Sequence, residues 1–303
     1  MNKKPVVGVI AKPKVNQAIE LADKVVAWLK DRSIEYKIGD LITDSFLPKG
    51  EDESNFVSRQ DMSEVCDVIV VLGGDGTFIS VARYPSDPPP KIIGVNMGTL
   101  GFLTEITTDE LFPILEKALE GKAETEQRSI LEASLVRNGK VVETYNAVND
   151  IVITKQAIAR IFGIHISVDD ESAALLRGDG VIVSSPAGST AYSLSAGGSI
   201  VMPSVNATLI SPICPHSLTS RPLVVPGDSK VCLGIPEGSR VELGDIYLTV
   251  DGQQGIEMGA GDEVRITKSE KVIELVKSPS KTYFEVLGAK LHWAELTVPK
   301  GDA

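Results

Sequence analysis

The stretch Val70-Val71-Leu72-Gly73-Gly74-Asp75-Gly76-Thr77 decides the fold, because an unbroken apolar run gives way there to three glycines around one carboxylate. The run from Asp67 to Leu72 shows no polar alternation and reads as a strand buried on both faces, the habit of parallel sheets. Thr77 to Arg83 reads as the helix that follows it. Glycines lack a Cβ, so the backbone between strand and helix can approach a phosphate or a ribose closely. The helix start offers free amides to an anion, and an Asp at that point can accept a hydroxyl proton. The same residues would also serve as a tight strand-to-helix turn with a solvated Asp. They match neither G-x-x-x-x-G-K-S/T nor G-x-G-x-x-G, and neither pattern occurs elsewhere in the chain.

Upstream and downstream of this loop, apolar strands alternate with helical patterns. Val6-Val7-Gly8-Val9-Ile10 predicts a strand, Ala18 to Leu29 a helix and Lys91 to Val95 a further strand, the rhythm of an α/β domain with a Rossmann-like parallel sheet. Thr107-Thr108-Asp109-Glu110 predicts a capping box before a helix ending near Glu120. From about Gln127 the pattern changes to short apolar runs separated by turn residues. Leu131 to Arg137, Asn138-Gly139 and Lys140 to Tyr145 read as a hairpin. Ile161 to Val168, Val181 to Ser184, Lys230 to Ile235, Ile246 to Val250, Glu263 to Lys268 and Val272 to Val276 read as further strands of an all-β, sandwich-like domain.

The tail turns helical again between Thr282 and Ala294, with Phe284, Leu287 and Leu291 on one face. The expected division is an α/β domain over 1–126, with 280–303 packing back on it, and a β-rich domain over 127–279. The polar segment 44–60 reads either as a lid or as plain surface.

Composition narrows the function. A chain of 303 residues with 43% hydrophobic and 23% charged residues can bury one or two full cores. Its net charge of −11 argues against a general nucleic-acid binder, which needs Lys and Arg to neutralise phosphates. The apolar runs are strand-length and the N-terminus lacks a signal-like stretch, so no membrane contact and a cytoplasmic address are expected. Cys66, Cys214 and Cys232 are too few and too scattered for a disulfide framework or a zinc site, and read as buried thiols. The histidines are equally scattered; His165, between Ile164 and Ile166, reads as the polar face of a strand.

Gly-Gly-Asp-Gly-Thr is the signature of a kinase superfamily that includes NAD kinases, diacylglycerol and sphingosine kinases and 6-phosphofructokinases. Four further segments choose among them: Asn96-Met97-Gly98-Thr99-Leu100-Gly101-Phe102-Leu103, Val148-Asn149-Asp150-Ile151-Val152-Ile153, Arg177-Gly178-Asp179-Gly180 and Ser185-Pro186-Ala187-Gly188-Ser189-Thr190-Ala191-Tyr192-Ser193-Leu194-Ser195-Ala196-Gly197-Gly198. With Val250-Asp251-Gly252-Gln253 and Leu291-His292-Trp293, they resemble bacterial NAD kinases over most of the chain.

The resemblance implies transfer of the γ-phosphoryl group of ATP to the 2′-hydroxyl of the adenosine ribose of NAD. Asp75 would be the general base, and Gly73, Gly74, Gly76 and Thr77 the phosphate-binding turn. Mg²⁺ or another divalent cation would arrive with ATP, with no separate protein metal site. Asn149 and Asp150 match an NAD-contact pair, their alternative being an Asx turn. Tyr192 would stack on adenine beside Ala187, Thr190, Ala191 and Ser195, its alternative being a core tyrosine. Asp179 matches a contact to the nicotinamide side, Arg160 and Arg177 could meet the pyrophosphate, and Gln253 could reach the ligand across a subunit boundary. Inorganic polyphosphate is the alternative donor, and a homodimer or homotetramer is implied. Some relatives carry a basic residue where this chain has Phe78-Ile79-Ser80; Arg83 is either its substitute or an exposed helix-end cation. A lipid kinase of the same superfamily and a non-catalytic nucleotide sensor are the competing readings.

Overall fold

The computed structural model describes residues 4–39, 53–156, 162–242 and 244–293. The chain divides into two compact units, residues 1–126 with 274–303, and residues 127–273. Among the described residues, no helix is long and apolar enough to cross a membrane.

The first unit is built on β1 (Val6–Ala11), β2 (Glu35–Gly39), β3 (Phe56–Val57), β4 (Val68–Gly73) and β5 (Lys91–Asn96). They form a parallel sheet in the order β3-β2-β1-β4-β5. β1 and β4 are buried at every position, as expected for strands covered on both faces. Helix α1 (Asn16–Asp31) buries Ala18, Leu21, Ala22, Val25, Val26 and Leu29, the three- and four-residue spacing that lays one helical face on a sheet. Among the described residues of this part of the chain, the helices α2 (Met62–Val65), α3 (Asp75–Ala82) and α4 (Leu111–Leu119) follow α1. The capping residues before α4 act only in part: Glu110 accepts from the Thr107 amide and hydroxyl, while the helix itself starts one residue after Glu110.

The strands of the second unit are β6 (Thr125–Arg137), β7 (Lys140–Ala147), β8 (Asp150–Lys155), β9 (Phe162–Val168), β10 (Glu171–Gly178) and β11 (Gly180–Ser184). After the short helix α5 (Tyr192–Ser195) come β12 (Ala207–Ile213), β13 (Leu223–Pro226), β14 (Val231–Gly234), β15 (Ile246–Val250), β16 (Gln254–Met258) and β17 (Glu263–Val276). The pairings β6–β7, β8–β11, β8–β15, β9–β10, β9–β14, β11–β12, β12–β13, β14–β17 and β15–β16 are antiparallel. One sheet runs β13-β12-β11-β8-β15-β16; in the other, β9 lies between β10 and β14, β14 pairs with β17, and β6 pairs with β17 and β7. Both sheets feed one core that includes Leu131, Ile153, Ile164, Val183, Leu233, Leu248 and Ile266, which makes this a sandwich. The predicted hairpin at Asn138-Gly139 is present, both residues in the left-handed region (φ 52 and 73) that a right-twisted two-residue hairpin turn requires.

Several expectations need correction. β17 continues unbroken through 269–271, and its last residues, Glu274 and Leu275, pair in parallel with Lys91 and Ile92 of the first unit's sheet. The chain therefore returns to the first unit at Glu274, before the expected position 280. In the tail helix α6 (Tyr283–Leu291) the buried residues are Val286 and Leu287, while Phe284 is exposed. Its N-terminus carries the complete capping box, Thr282 with Glu285. Cys66 is buried, but Cys214, past the end of β12, is exposed. His165 is on the open face of β9 as expected, hydrogen-bonded to Ser172 at 2.9 Å. Residues 44–52 of the polar segment lie outside the described residues; the remainder forms a 3₁₀ turn at Glu53–Asn55, then β3 and the loop into α2.

Candidate active site

β4 and β5 end side by side, Gly73 opposite Asn96, at the carboxyl edge of the parallel sheet, where ligands of α/β proteins gather. Beyond β4 the chain turns at Gly74 and enters α3 with Asp75 as the first helical residue. Beyond β5 it makes a loop whose start is pinned by the Met97 amide on the Gly73 carbonyl at 3.1 Å. The Asn96 side chain shapes that loop, accepting from the Gly98 amide at 2.7 Å and donating to the Thr99 carbonyl. The loop then folds against Asp75. Leu103 and Thr104 donate their amides to Oδ1 at 3.0 and 3.1 Å, the Thr104 hydroxyl adds a bond at 3.1 Å, and the Phe102 amide donates to Oδ2 at 3.0 Å. Gly101 makes this approach possible, since a Cβ there would overlap Asp75 Oδ1 and Thr104 Oγ1.

A fifth donor comes from the tail: Lys290 Nζ of α6 reaches Asp75 Oδ2 at 2.9 Å. Burial alone would push the Asp75 carboxyl up. The Lys290 hydrogen bond and charge, with the Leu103 and Phe102 amides, outweigh burial and hold it below the usual carboxylate range. Asp75 is therefore an anion at neutral pH with both oxygens engaged. Thr77 closes the α3 turn, its amide on the Gly74 carbonyl at 2.9 Å, while Gly74 is open and Gly76 exposed. Arg83 is buried, so the reading as an exposed helix-end cation is wrong. Arg59 donates to Ser80 Oγ on α3 at 2.9 Å.

The second unit assembles another group of the predicted residues. Asp251, left-handed (φ 51) in the turn between β15 and β16, accepts the amides of Val148, Asn149 and Asp150 at 3.0, 2.7 and 3.1 Å. The start of β8 is thus fixed by a distant carboxylate, not by an Asx turn of its own. The Ser185 amide bonds the Asn149 carbonyl at 2.9 Å, and the Ser185 hydroxyl bonds the Val148 carbonyl at 2.6 Å. The following 3₁₀ turn, Ala187–Thr190, packs onto Asn149 so closely that a Cβ on Gly188 would overlap the Asn149 carbonyl oxygen.

Asn149, Asp150, Ala187, Thr190, Ala191 and Tyr192 are thereby brought together, with Ser195 exposed one helical turn further on. Tyr192 is 45% exposed, which removes the core-tyrosine reading and leaves its ring face available to a base. Asp150 is 5% exposed. Burial pushes its carboxyl up, the neighbouring Asp251 charge adds to this, and the Tyr192 amide offsets only part, leaving a pKa of about 7.

Other predicted residues stand elsewhere. Arg160 lies outside the described residues. Arg177 and Asp179 are at the opposite end of β8 and β11 from Asp150, Gly180 pairing with Thr154 where Ser184 pairs with Asp150. Asp179 forms an ion pair with Lys155 at 3.5 Å, and Arg177 is exposed on β10. Gln253 is exposed in the Asp251 turn. Sequence reasoning assigned no role to Gly101, Phe102, Leu103, Thr104, Asp251 or Lys290. Gly101, Phe102, Leu103 and Asp251 lay inside the family-like segments and Thr104 directly after one, whereas Lys290 was visible only as one more lysine in an amphipathic helix.

Comparison with known proteins identifies the family. The ATP-NAD kinase N-terminal domain family matches residues 7–123, and the ATP-NAD kinase C-terminal domain family matches residues 148–278. NAD kinases of Geotalea daltonii and Syntrophotalea carbinolica are each 43% identical over 289 residues, covering 95% of this chain and 99% of theirs. A yeast NADH kinase complexed with NADH superposes with a TM-score of 0.86 at 26% identity, covering 99% of this chain and 91% of that one. An Archaeoglobus fulgidus NAD kinase in complex with ATP shares the fold, with a TM-score of 0.69 at 24% identity over 94% of this chain and 98% of its own. Identity of this size over nearly the whole of both chains makes this chain a member of the NAD kinase family.

Proposed function

We propose that Asp75 is the general base in the ATP-dependent phosphorylation of NAD, the activity of this chain. The observation that carries the reading is the carboxylate itself, ionised, at the carboxyl edge of the parallel sheet and fixed by the amides of Phe102, Leu103 and Thr104. Such a base takes the proton from the ribose 2′-hydroxyl as its oxygen attacks the γ-phosphorus of ATP. The bond from that phosphorus to the β,γ-bridging oxygen breaks, and ADP leaves. A positioned base contributes roughly 10²–10⁴-fold, the rest of phosphoryl transfer depending on alignment and on charge stabilisation.

The turn of Gly73, Gly74, Gly76 and Thr77 is assigned to the phosphates of the donor, which the positive end of the α3 dipole would favour. We assign the divalent cation to the triphosphate, where it would neutralise charge on the phosphate oxygens.

In the second unit Asn149 and Asp150 are assigned to the adenosine, with Thr190, Ala191 and Ser195 beside them, Ala187 supporting the turn and Tyr192 stacking on the base. Asp150 accepts from a ribose hydroxyl when ionised and can donate when protonated. Asp179 and Arg177, at the far end of β8 and β11, are assigned to the nicotinamide side and the pyrophosphate; Arg160 and Gln253 stay with the family resemblance alone. A cytoplasmic location and assembly as a homodimer or homotetramer belong to the same proposal, and light scattering of the purified protein tests the second.

The decisive assay supplies the protein with ATP, Mg²⁺ and NAD, or in parallel a diacylglycerol or fructose 6-phosphate. NADP is the expected product. NAD binding without NADP under varied metal and donor conditions would instead make this a nucleotide sensor.

A further inference from the structure

The Asp75 carboxylate presents a chemical difficulty. A base accepts a proton through a lone pair, yet both oxygens already take bonds from the Phe102, Leu103 and Thr104 amides, the Thr104 hydroxyl and the Lys290 ammonium. For the hydroxyl of a substrate to reach Oδ2, one donor must leave. The amides belong to a loop tied to β4 and β5 through Met97, Asn96 and Ile106 and cannot withdraw singly. Lys290 can, because its ammonium is carried on four freely rotating methylenes.

The rest of α6 is arranged to hold Lys290 where it is. The Thr282 capping box fixes the helix start, and Val286 and Leu287 are buried beneath it. The segment before it is fastened by the Ser278 amide on Glu105 at 2.7 Å, the Ser278 hydroxyl on Glu110 at 3.0 Å and Lys281 on the Glu105 carbonyl at 2.7 Å. The ammonium also lies 4.9 Å from the centre of the Phe102 ring, a cation–π contact with the loop residue whose amide holds the same Oδ2. Lys290 is 34% exposed and Asp75 23%, so the pair stands at the surface of the site with room to exchange partners.

We propose that Lys290 is a further catalytic residue of this chain, an exchangeable counter-ion that occupies Asp75 Oδ2 in the empty protein and moves to a phosphate oxygen of the nucleoside triphosphate when the donor binds. The exchange replaces one anion by another for the ammonium, and a phosphate with its higher charge density is the better partner. It opens Oδ2 to the ribose hydroxyl, whose proton then ends on Asp75. One cation therefore guards the base until the donor has arrived and afterwards balances charge on the transferring group. This rests on the reading of Asp75 as base.

The test uses Lys290→Met, which keeps the length of the stem, and Lys290→Arg, which keeps the charge. In Lys290→Met, KM for ATP is expected to rise about tenfold and kcat to fall about tenfold, with KM for NAD within about twofold, as for loss of one charge-assisted contact. The acid limb of the kcat/KM profile moves to higher pH, because Asp75 loses the hydrogen bond and charge that most lower its pKa. Lys290→Arg restores most of both. A ¹³C titration of the Asp75 carboxyl in the empty protein reads the same shift without turnover. An unmoved acid limb with unchanged dependence on ATP overturns the inference, as does lost activity that Arg does not recover and that follows a drop in melting temperature. If Asp75→Asn is inactive in the same assays, the base reading survives that failure; if Asp75→Asn keeps its turnover, the base reading falls and this inference with it.

Discussion

Asp75 and Asp150 are two aspartates at strand ends that the protein drives in opposite directions. Asp75, after β4, is surrounded by donors and a cation and is held below the ordinary range despite burial. Asp150, at the head of β8, is more deeply buried, faces another carboxylate, and rises to about 7. Their neighbours explain the difference. The Phe102 to Thr104 amides point at Asp75, whereas the corresponding amides beside Asp150, those of residues 148–150, are spent on Asp251. An environment that moves two titratable groups apart is a common way to divide roles between them. Here one carboxylate stays charged at all working pH values, and the other can accept or donate near neutrality.

Replacing Asp75 with Asn is the harshest way to break the comparison. It removes the proton acceptor and turns an amide group toward the Phe102 N–H or Lys290, so kcat should fall by about 10²–10⁴-fold, with NAD binding, read by calorimetry, largely kept. Gly101→Ala reaches the same carboxylate through its neighbour. The added methyl would overlap Oδ1 and Thr104 Oγ1, and such a displacement should cost about 10²-fold in kcat, with little change in a ¹⁵N spectrum away from the loop.

Asp251→Ala acts on the other region and leaves the Val148, Asn149 and Asp150 amides without their acceptor. Its signature should be a KM for NAD raised roughly tenfold at nearly constant kcat, the cost of unmet buried donors. A change in kcat alone would mean that Asp251 does not position the nucleotide pair.

The mildest probe sharpens the comparison through pH. Asp150 has a folded pKa raised from 3.8 to about 7, so the folded state holds its proton more tightly than the unfolded chain. The resulting stabilisation is full below pH 3.8 and is lost as pH rises to about 7. Asp150→Asn lacks that loss. Its melting temperature should exceed the wild type's above pH 7, by roughly 2–4 °C for each kcal/mol, and the gap should close toward pH 4. A constant gap across that range would place the titration elsewhere.

Much of this was legible in the chain, because strands and helices write their burial into local periodicity. The solid apolar runs of β1 and β4 declared a parallel sheet, Asn138-Gly139 declared its hairpin, and Gly-Gly-Asp-Gly-Thr marked the strand end where chemistry belongs. Other features escaped for a physical reason. Val272 to Val276 looked like a separate strand because the polar residues 269–271 resemble a turn, while pairing carries β17 straight through them. Phe284 counted as a buried face residue by spacing, but spacing names a face without saying which neighbour covers it, and it is exposed.

The sequence by itself determined the two fold classes, the motif loop and the family, since each depends on residues close together along the chain. Only the tertiary structure decided what the two aspartates are. The groups that set them come from far away, the 102–104 amides 27 to 29 residues from Asp75, Asp251 101 residues from Asp150, and Lys290 215 residues from Asp75. Electrostatics acts through space, so the charge on a side chain is settled by what folding brings to within about 3 Å of it.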